Sequence, residues 1–540
     1  MTDIQKRLWF YRITSFASGM SVMAVELAAS RLLGPYFSTA MPVWSVIIGF
    51  IMAAMALGNW MGGRLADKTK DDKKLFNRLL FAAAWVAVAG VFGKYVVVFV
   101  AAPLGALFGD QIIVAGSLVA CTVLFGVPMV IFGMVSPFLV RTATALSPET
   151  PGKTIGSIYA MGTVGSIAGT FLSTFVTVPY IGTQMTFVLF ACVLALLWVA
   201  RMIVGRMAWY KGAIAAVLAF ALLAIPLPAN YAFWQSGIVV EDESMYNYLM
   251  VREDSRNRYF STNVLFGVQS VLPLQDDMSG VFYFDALAPA IGFDSEYVAN
   301  RPIKALSLGM GTGTFARQLQ RTLPGSTCTA VEIDGKIVDL AFEWFDIDET
   351  MVNAVVGDGR AFINQDTEKY DLIVVDAYQD ISLPFAMATQ EFYQLCHDRL
   401  APGGVLVLNI NMNTESVQEL LEVMVATLSM SFADVYEYRV EGSTNVLLYC
   451  PLRGDLDTLA ANAQDTDADL RLTRVMNEIA ASAKRVEYDA QVMTDDRAPV
   501  EAIASRMLAS IIRQEREYIM SRAEYHGGGI KGLFKALMEG

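Results

Sequence analysis

Charge is scarce in this chain of 540 residues: 17% are Asp, Glu, Lys or Arg, 54% are hydrophobic, and the mean hydropathy is +0.43. A water-soluble domain carries nearer a quarter charged residues, so disorder, collagen-like repeats and a purely soluble enzyme are excluded. Cysteine is scarce too. Cys121, Cys192, Cys328, Cys396 and Cys450 show no close pairing pattern. They read as free thiols, without a disulfide framework or a metal cluster. Two histidines, His397 and His526, are too few for a His-rich zinc site, and no metal is expected. A cleavable signal peptide is also lacking: the first apolar stretch has no small-residue cleavage site and runs on into further spans.

What the chain does have is asymmetry. Residues 1–228 hold 16 Lys and Arg against 7 Asp and Glu, a net +9; the remainder holds 24 against 46, a net −22. The first part reads as a lipid-embedded bundle with basic loops, the second as an acidic globular domain. Nucleic-acid binding needs basic stripes and is excluded. An acidic surface suits a cationic small molecule.

Apolar runs of roughly 20 residues match a ~30 Å hydrocarbon core. They fall near 10–33, 42–63, 77–101, 111–136, 154–179, 183–204 and 209–227, which predicts about seven spans. Gly58 with Gly62, and Gly165 with Gly169, have the spacing that lets helices approach closely. Lys6, Arg7 and Arg12, then Arg64, Lys68, Lys70, Lys73, Lys74 and Arg78, mark the cytoplasmic side. Glu26, Arg31 and Lys94 lie within spans, where charge is costly and often functional; the structural alternative is an ion pair, or Arg31 and Lys94 snorkelling to the interface. Seven spans starting inside would leave the acidic domain outside. A re-entrant break within 77–109, or an interfacial 209–227, returns it to the cytoplasm.

From residue 229 the periodicity changes. Short β-like segments occupy 238–284. Apolar strands are then predicted at 304–309, 328–334, 353–358, 371–377, 404–410, 434–440 and 445–451, the first five separated by helices and the last two forming a hairpin. That is a parallel sheet wrapped on both faces with a terminal hairpin, the arrangement of Rossmann-like methyltransferase folds. The implied domains are a helical bundle at 1–228, a small β part at 229–290, a Rossmann-like nucleoside-binding domain at 291–455 and a helical tail at 456–540.

Ligands of open α/β sheets bind beyond the carboxyl ends of the strands. Gly309-Met310-Gly311-Thr312-Gly313-Thr314 directly follows the first strand and opens a helix, Phe315 to Leu319. Glycines allow a tight turn and close backbone approach, and the helix start offers N–H donors. Glu332 ends the second strand, Asp358 (in Gly357-Asp358-Gly359) the third and Asp376 the fourth. An acidic side chain in the Glu332 position can accept both ribose hydroxyls.

With Ser244-Met245-Tyr246-Asn247-Tyr248, Gly267-Val268-Gln269, Tyr283 and the run from Pro384 through Thr389-Gln390-Glu391-Phe392-Tyr393, these residues resemble the ordered motifs of spermidine synthases, the polyamine aminopropyltransferases. Thr494-Asp495-Asp496-Arg497-Ala498-Pro499-Val500-Glu501, together with Glu26-Leu27, Arg31 and Trp44, resembles the membrane-fused bacterial branch of that family. The resemblance implies an enzyme that moves an aminopropyl group from decarboxylated S-adenosylmethionine to an amine and releases methylthioadenosine. It implies that Gly309, Gly311, Thr312, Gly313, Glu332, Asp358, Gly359 and Gln269 hold the nucleoside, with Glu332 on the ribose and Asp358 on the adenine amino group. Asp376, Tyr283 and Tyr246 would be catalytic, and Tyr378 and Asp380 would face the amine. It also implies a multi-pass protein of the bacterial inner membrane, its soluble domain in the cytoplasm. The lipid bilayer and a small-molecule amine or nucleoside would be its partners, and the resemblance leaves a homodimer or a tetramer open.

The departures from the family pattern matter. Thr312 stands where the family has an Asp that binds the cationic aminopropyl end, Phe284 replaces a His or Gln, and Asp380 lies four residues after Asp376 rather than three. Two alternatives therefore stay open. One is an enzyme acting on intact S-adenosylmethionine, by methyl transfer or by intramolecular displacement of methylthioadenosine. The other is a non-catalytic membrane sensor or transporter-like protein, suggested also by Gly62 to Asp67, which looks like a loop of major-facilitator-type transporters.

Overall fold

Long apolar runs without turn residues must satisfy their backbone polar groups internally, and helix does so within one segment. The computed structural model describes residues 2–37, 41–69, 71–101, 103–104, 112–204, 230–264, 268–275, 288–377, 383–411, 417–440, 445–465, 467, 469–500, 503, 521 and 525. The chain divides into two units: 1–235 with 241–248 and 263–265, and 236–240 with 249–262 and 266–540.

The first unit contains α1 (Asp3–Phe37), α2 (Met41–Lys68), α3 (Lys73–Val96, continued by the π turn Val97–Ala101), α4 (Ile112–Gly133), α5 (Val135–Leu146), α6 (Pro151–Leu172, continued by the π turn Ser173–Thr177) and α7 (Val178–Val204). The glycine pairs sit at helix crossings. A Cβ on Gly165 would lie 2.0 Å from the Phe16 carbonyl oxygen, and one on Gly58 2.1 Å from that of Val130. Only hydrogen fits there, as close helix packing requires.

Among the described residues, five helical runs are long and apolar enough to cross a membrane: Asp3–Phe37, Met41–Lys68, Lys73–Ala101, Ile113–Leu146 and Pro151–Ile203. Of the expectation of about seven spans, the described residues support the coarser count of five apolar runs. The stretches at 154–179 and 183–204 both fall in the run Pro151–Ile203, where two helices meet at Gly182, which leaves helical geometry at φ 78° and ψ 165°. The stretch at 209–227 lies outside the described residues. At the bend, Glu243 accepts hydrogen bonds from the Thr183 N–H (2.7 Å) and hydroxyl (2.6 Å). Arg31 donates to the carbonyls of Met245 and Tyr246, and Lys94 to that of Asn230 at 3.1 Å.

The remainder opens with β1 (Ile238–Glu243), β2 (Tyr248–Glu253), β3 (Asn257–Ser261) and β4 (Ser270–Pro273), a sheet in the order β1-β2-β3-β4. There follow β5 (Lys304–Leu308), α8 (Thr314–Thr322), β6 (Thr327–Glu332), α9 (Gly335–Trp344), β7 (Asn353–Val356), α10 (Gly359–Gln365), β8 (Tyr370–Val375), α11 (Gln390–Arg399), β9 (Leu400–Asn411), α12 (Val417–Leu428), β10 (Tyr436–Arg439) and β11 (Asn445–Pro451). Helices α13 (Leu456–Asn462) and α14 (Leu470–Ser482) and the short β12 (Lys484–Arg485) complete the named elements.

The large sheet runs β12-β10-β11-β9-β8-β5-β6-β7. Its five central strands are parallel, and β11 and β10 return antiparallel, as the alternation of strands and helices predicts. Strands β5, β8 and β9 are buried on both sides, as expected where helices cover both faces. Ala305, Leu372, Val374 and Val407 enter one core; Leu306, Leu308, Ile373 and Val375, alternating with them, enter the other. A third cluster joins Leu249, Val251, Phe260 and Leu272 of the small sheet to Ile337 and Leu340 of α9.

Candidate active site

Backbone hydrogen bonds stitch the carboxyl ends of the strands together. The Gly309 N–H donates to the Val331 carbonyl, that of Asp376 to Leu308 and that of Gly357 to Glu332, each at 2.9 Å. Four sequence-predicted features are thereby aligned along one sheet edge. Gly309 has φ +95°, and a Cβ there would sit 2.3 Å from the Asp376 carbonyl oxygen. Any side chain would be strained and would displace the backbone that carries Asp376. Gly313, at φ +74°, precedes the first turn of α8.

The Glu332 carboxylate accepts from the N–H groups of Gly311 (3.0 Å) and Asp334 (3.2 Å), so strand tip and glycine turn hold one another. Burial pushes its pKa above that of an ordinary glutamate, and the two N–H donors offset only part of that. Asp358 caps α10, accepting from the Ala361 N–H at 2.7 Å, and remains exposed. Asp376 accepts from the Asn409 side-chain amide at 2.8 Å. Gln269 pairs its backbone N–H with Phe260 at 2.8 Å, and the next residue, Ser270, stands 3.5 Å from where a Gly311 Cβ would be. The start of β4 therefore borders the glycine turn.

Thr312 is 1% exposed, and its hydroxyl lies 3.3 Å from that of Thr314. Its side chain is buried beside that of Thr314. Gly359 begins α10 beside Asp358. Tyr246 belongs to the helical unit, where its carbonyl accepts from Arg31. Tyr283, Phe284, Tyr378 and Asp380 lie outside the described residues.

Two residues of this edge, Asn409 and Arg360, were not predicted from the sequence. Asn409 is a buried polar residue near the end of the apolar strand β9, and that mismatch was the available signal. Arg360 follows Gly357-Asp358-Gly359, and its bidentate partner Asp495 comes from the distant Thr494 to Glu501 motif. Nothing local in the sequence announces that pairing.

Residues 291–441 match the family described as the spermine/spermidine synthase domain. A probable polyamine aminopropyl transferase of Bifidobacterium longum is 36% identical over 320 residues, 56% of this chain and 70% of that protein. A polyamine aminopropyltransferase of Vibrio vulnificus is 28% identical over 239 residues, 43% of this chain and 78% of that protein. Among solved structures, a probable spermidine synthase from Corynebacterium glutamicum aligns at 22% identity and TM-score 0.39, over 48% of this chain and 96% of that one. The first relative is matched along more than two thirds of its length, at an identity well above that of the others cited, and on that ground the chain belongs to the polyamine aminopropyltransferase (spermidine synthase) family.

Proposed function

We propose that this aminopropyltransferase takes decarboxylated S-adenosylmethionine as donor at the stitched strand tips, and that it works as a multi-pass membrane protein with its α/β domain in the cytoplasm. The observation that carries the first part is that Glu332 and Asp376 end the two strands flanking β5, with the Gly309 turn between them. Glu332 accepts the ribose hydroxyls, and the exposed Asp358 receives the adenine amino group. Gln269, beside the turn, lines the sulfonium side.

The chemistry is one displacement. The amine nitrogen's lone pair forms a bond to the aminopropyl carbon next to sulfur. The carbon–sulfur bond breaks with its electrons going to sulfur, leaving neutral methylthioadenosine, and the nitrogen's extra proton passes to Asp376. A sulfonium carbon is already activated, so the protein's task is alignment and a neutral nucleophile. A carboxylate within hydrogen-bond reach takes the one proton that the attacking nitrogen gives up as the new bond forms. The net −22 of residues 229–540 favours the approach of cationic substrates. Incubation with decarboxylated S-adenosylmethionine and a diamine is expected to yield methylthioadenosine and the N-alkylated amine. S-adenosylhomocysteine as the product from intact S-adenosylmethionine would sink this reading.

One observation favours the second reading, use of intact S-adenosylmethionine. At Thr312 the turn carries no carboxylate, so nothing at that position repels the donor's own carboxylate. Calorimetry with both nucleosides separates the two.

The membrane part is supported by the five apolar runs and by the basic residues Arg64 to Arg78 at the end of α2 and the start of α3. Leu470 is 81% exposed. A Leu470→Cys variant is expected to resist an impermeant thiol reagent in intact cells and to react after lysis, and labelling from the periplasm would reverse the orientation.

A further inference from the structure

The Thr494 to Glu501 motif finds no role in the chemistry above, yet its second residue sits in a dense hydrogen-bond cluster. The Arg360 guanidinium grips Asp495 with two bonds of 2.6 Å. The same guanidinium donates to the Ala386 carbonyl at 2.7 Å and to the Thr389 hydroxyl at 3.0 Å. Thr389 in turn donates to Asp495 at 2.7 Å and, as the cap of α11, accepts from the Phe392 N–H. The Asp495 N–H donates to Glu391 at 3.0 Å, and the Gln390 N–H to the Met493 carbonyl at 2.8 Å.

Arg360 is two residues beyond Asp358, in the first turn of α10. A Cβ on Gly359 would lie 3.3 Å from Met387 Cε, so the 3-10 turn Phe385–Met387 rests on the residue beside Asp358. Arg360 and Asp495 tie together the start of α10, the turn 385–387, the cap of α11 and the C-terminal segment. An isolated surface pair does little. This one is planar and bidentate, which fixes direction as well as distance, and Thr389 at its centre is fully buried.

We propose that Asp495, acting through Arg360, is a positioning residue for the nucleoside: it sets the Asp358–Gly359 corner and the Met387 wall against which the adenine docks. The inference rests on the proposed nucleoside site and deepens it. The C-terminal motif then completes one wall of the donor site.

The test is calorimetric titration of the full-length protein with methylthioadenosine, alongside the amine KM and the melting temperature. Asp495→Asn and Arg360→Lys are each expected to raise the nucleoside Kd about tenfold, the effect of losing one charge-assisted hydrogen bond. The amine KM should stay within about twofold, and Asp495→Glu should recover part of the affinity. Arg360→Lys keeps the charge and serves if Asp495→Asn does not fold. Unchanged nucleoside affinity in the variants would overturn the proposal, as would parallel losses in melting temperature, nucleoside affinity and amine KM, which mark a general brace. A wild-type protein that binds no methylthioadenosine overturns the functional reading itself and the proposal with it.

Discussion

Asp72 of the helical unit and the strand-tip acids of the α/β unit are answered in opposite ways. Asp72, 4% exposed at the start of α3, is enclosed by its own unit: the Tyr11 hydroxyl donates at 2.8 Å, and Arg201 donates twice, at 2.6 and 3.0 Å. Glu332 is held by backbone N–H groups, those of Gly311 and Asp334 among them, and Asp358 by the N–H of its own helix. Asp72 has cations and a phenol for partners, so its charge is neutralised internally. The strand-tip carboxylates have dipoles for partners and keep their charge available to a ligand. A buried acid is structural or functional according to who answers it.

The comparison can be broken first at Asp376. Asp376→Asn is expected to lower turnover by about a hundred- to ten-thousandfold, with methylthioadenosine affinity retained; stopped turnover assays and calorimetry check both. Asp72→Ala should do the reverse. It leaves Arg201 buried without its partner, a loss on the order of 3–5 kcal/mol of stability, read as thermal unfolding in detergent, while nucleoside affinity holds. If Asp72→Ala instead abolished nucleoside binding at intact stability, the division between the two kinds of carboxylate would collapse. A smaller effect is expected at Asn409. Its amide orients Asp376, so Asn409→Ala should cost about tenfold in kcat through one lost hydrogen bond, with the nucleoside Kd unchanged.

The smallest effect is one of pH. Because burial raises the Glu332 pKa, the empty protein gains stability from this group in acid and loses it as pH rises through the raised value. Ribose binding needs the ionised form, so nucleoside affinity runs the other way and falls as pH drops through that same value, above the ordinary glutamate pKa. Asp495 has the opposite shift: the Arg360 hydrogen bond holds it below the usual aspartate range. Its contribution to stability is present above the ordinary value and is lost only as pH falls through the lowered one. Calorimetry of Glu332→Gln across mildly acidic pH should show a flattened profile. An unaltered profile would mean that another group carries the dependence.

Much of the α/β unit was legible because its signals are local. Each of the seven strands expected from 304 to 451 is present, since an apolar run ended by Gly or an acid is bounded by its own neighbours. The tips were legible for the same reason. Thr312 was not: residue type suggests a side chain facing ligand, whereas the glycine turn around it rotates that side chain toward Thr314. The helical unit was legible in composition and less so in count. The boundary between 154–179 and 183–204 falls at the Gly182 kink, but hydropathy cannot see that a carboxylate from residue 243 occupies it.

Sequence alone determined the two compositions, the strand-and-helix alternation and the acids at the strand tips, because periodicity, turn chemistry and charge balance act over a few residues. Tertiary structure decided which side chains answer one another: Asn409 with Asp376, Arg201 with Asp72, Arg360 with Asp495. Those partners stand 33, 129 and 135 positions apart. A hydrogen bond across such a distance exists only after the intervening chain has packed, so packing and not pattern selects the pair.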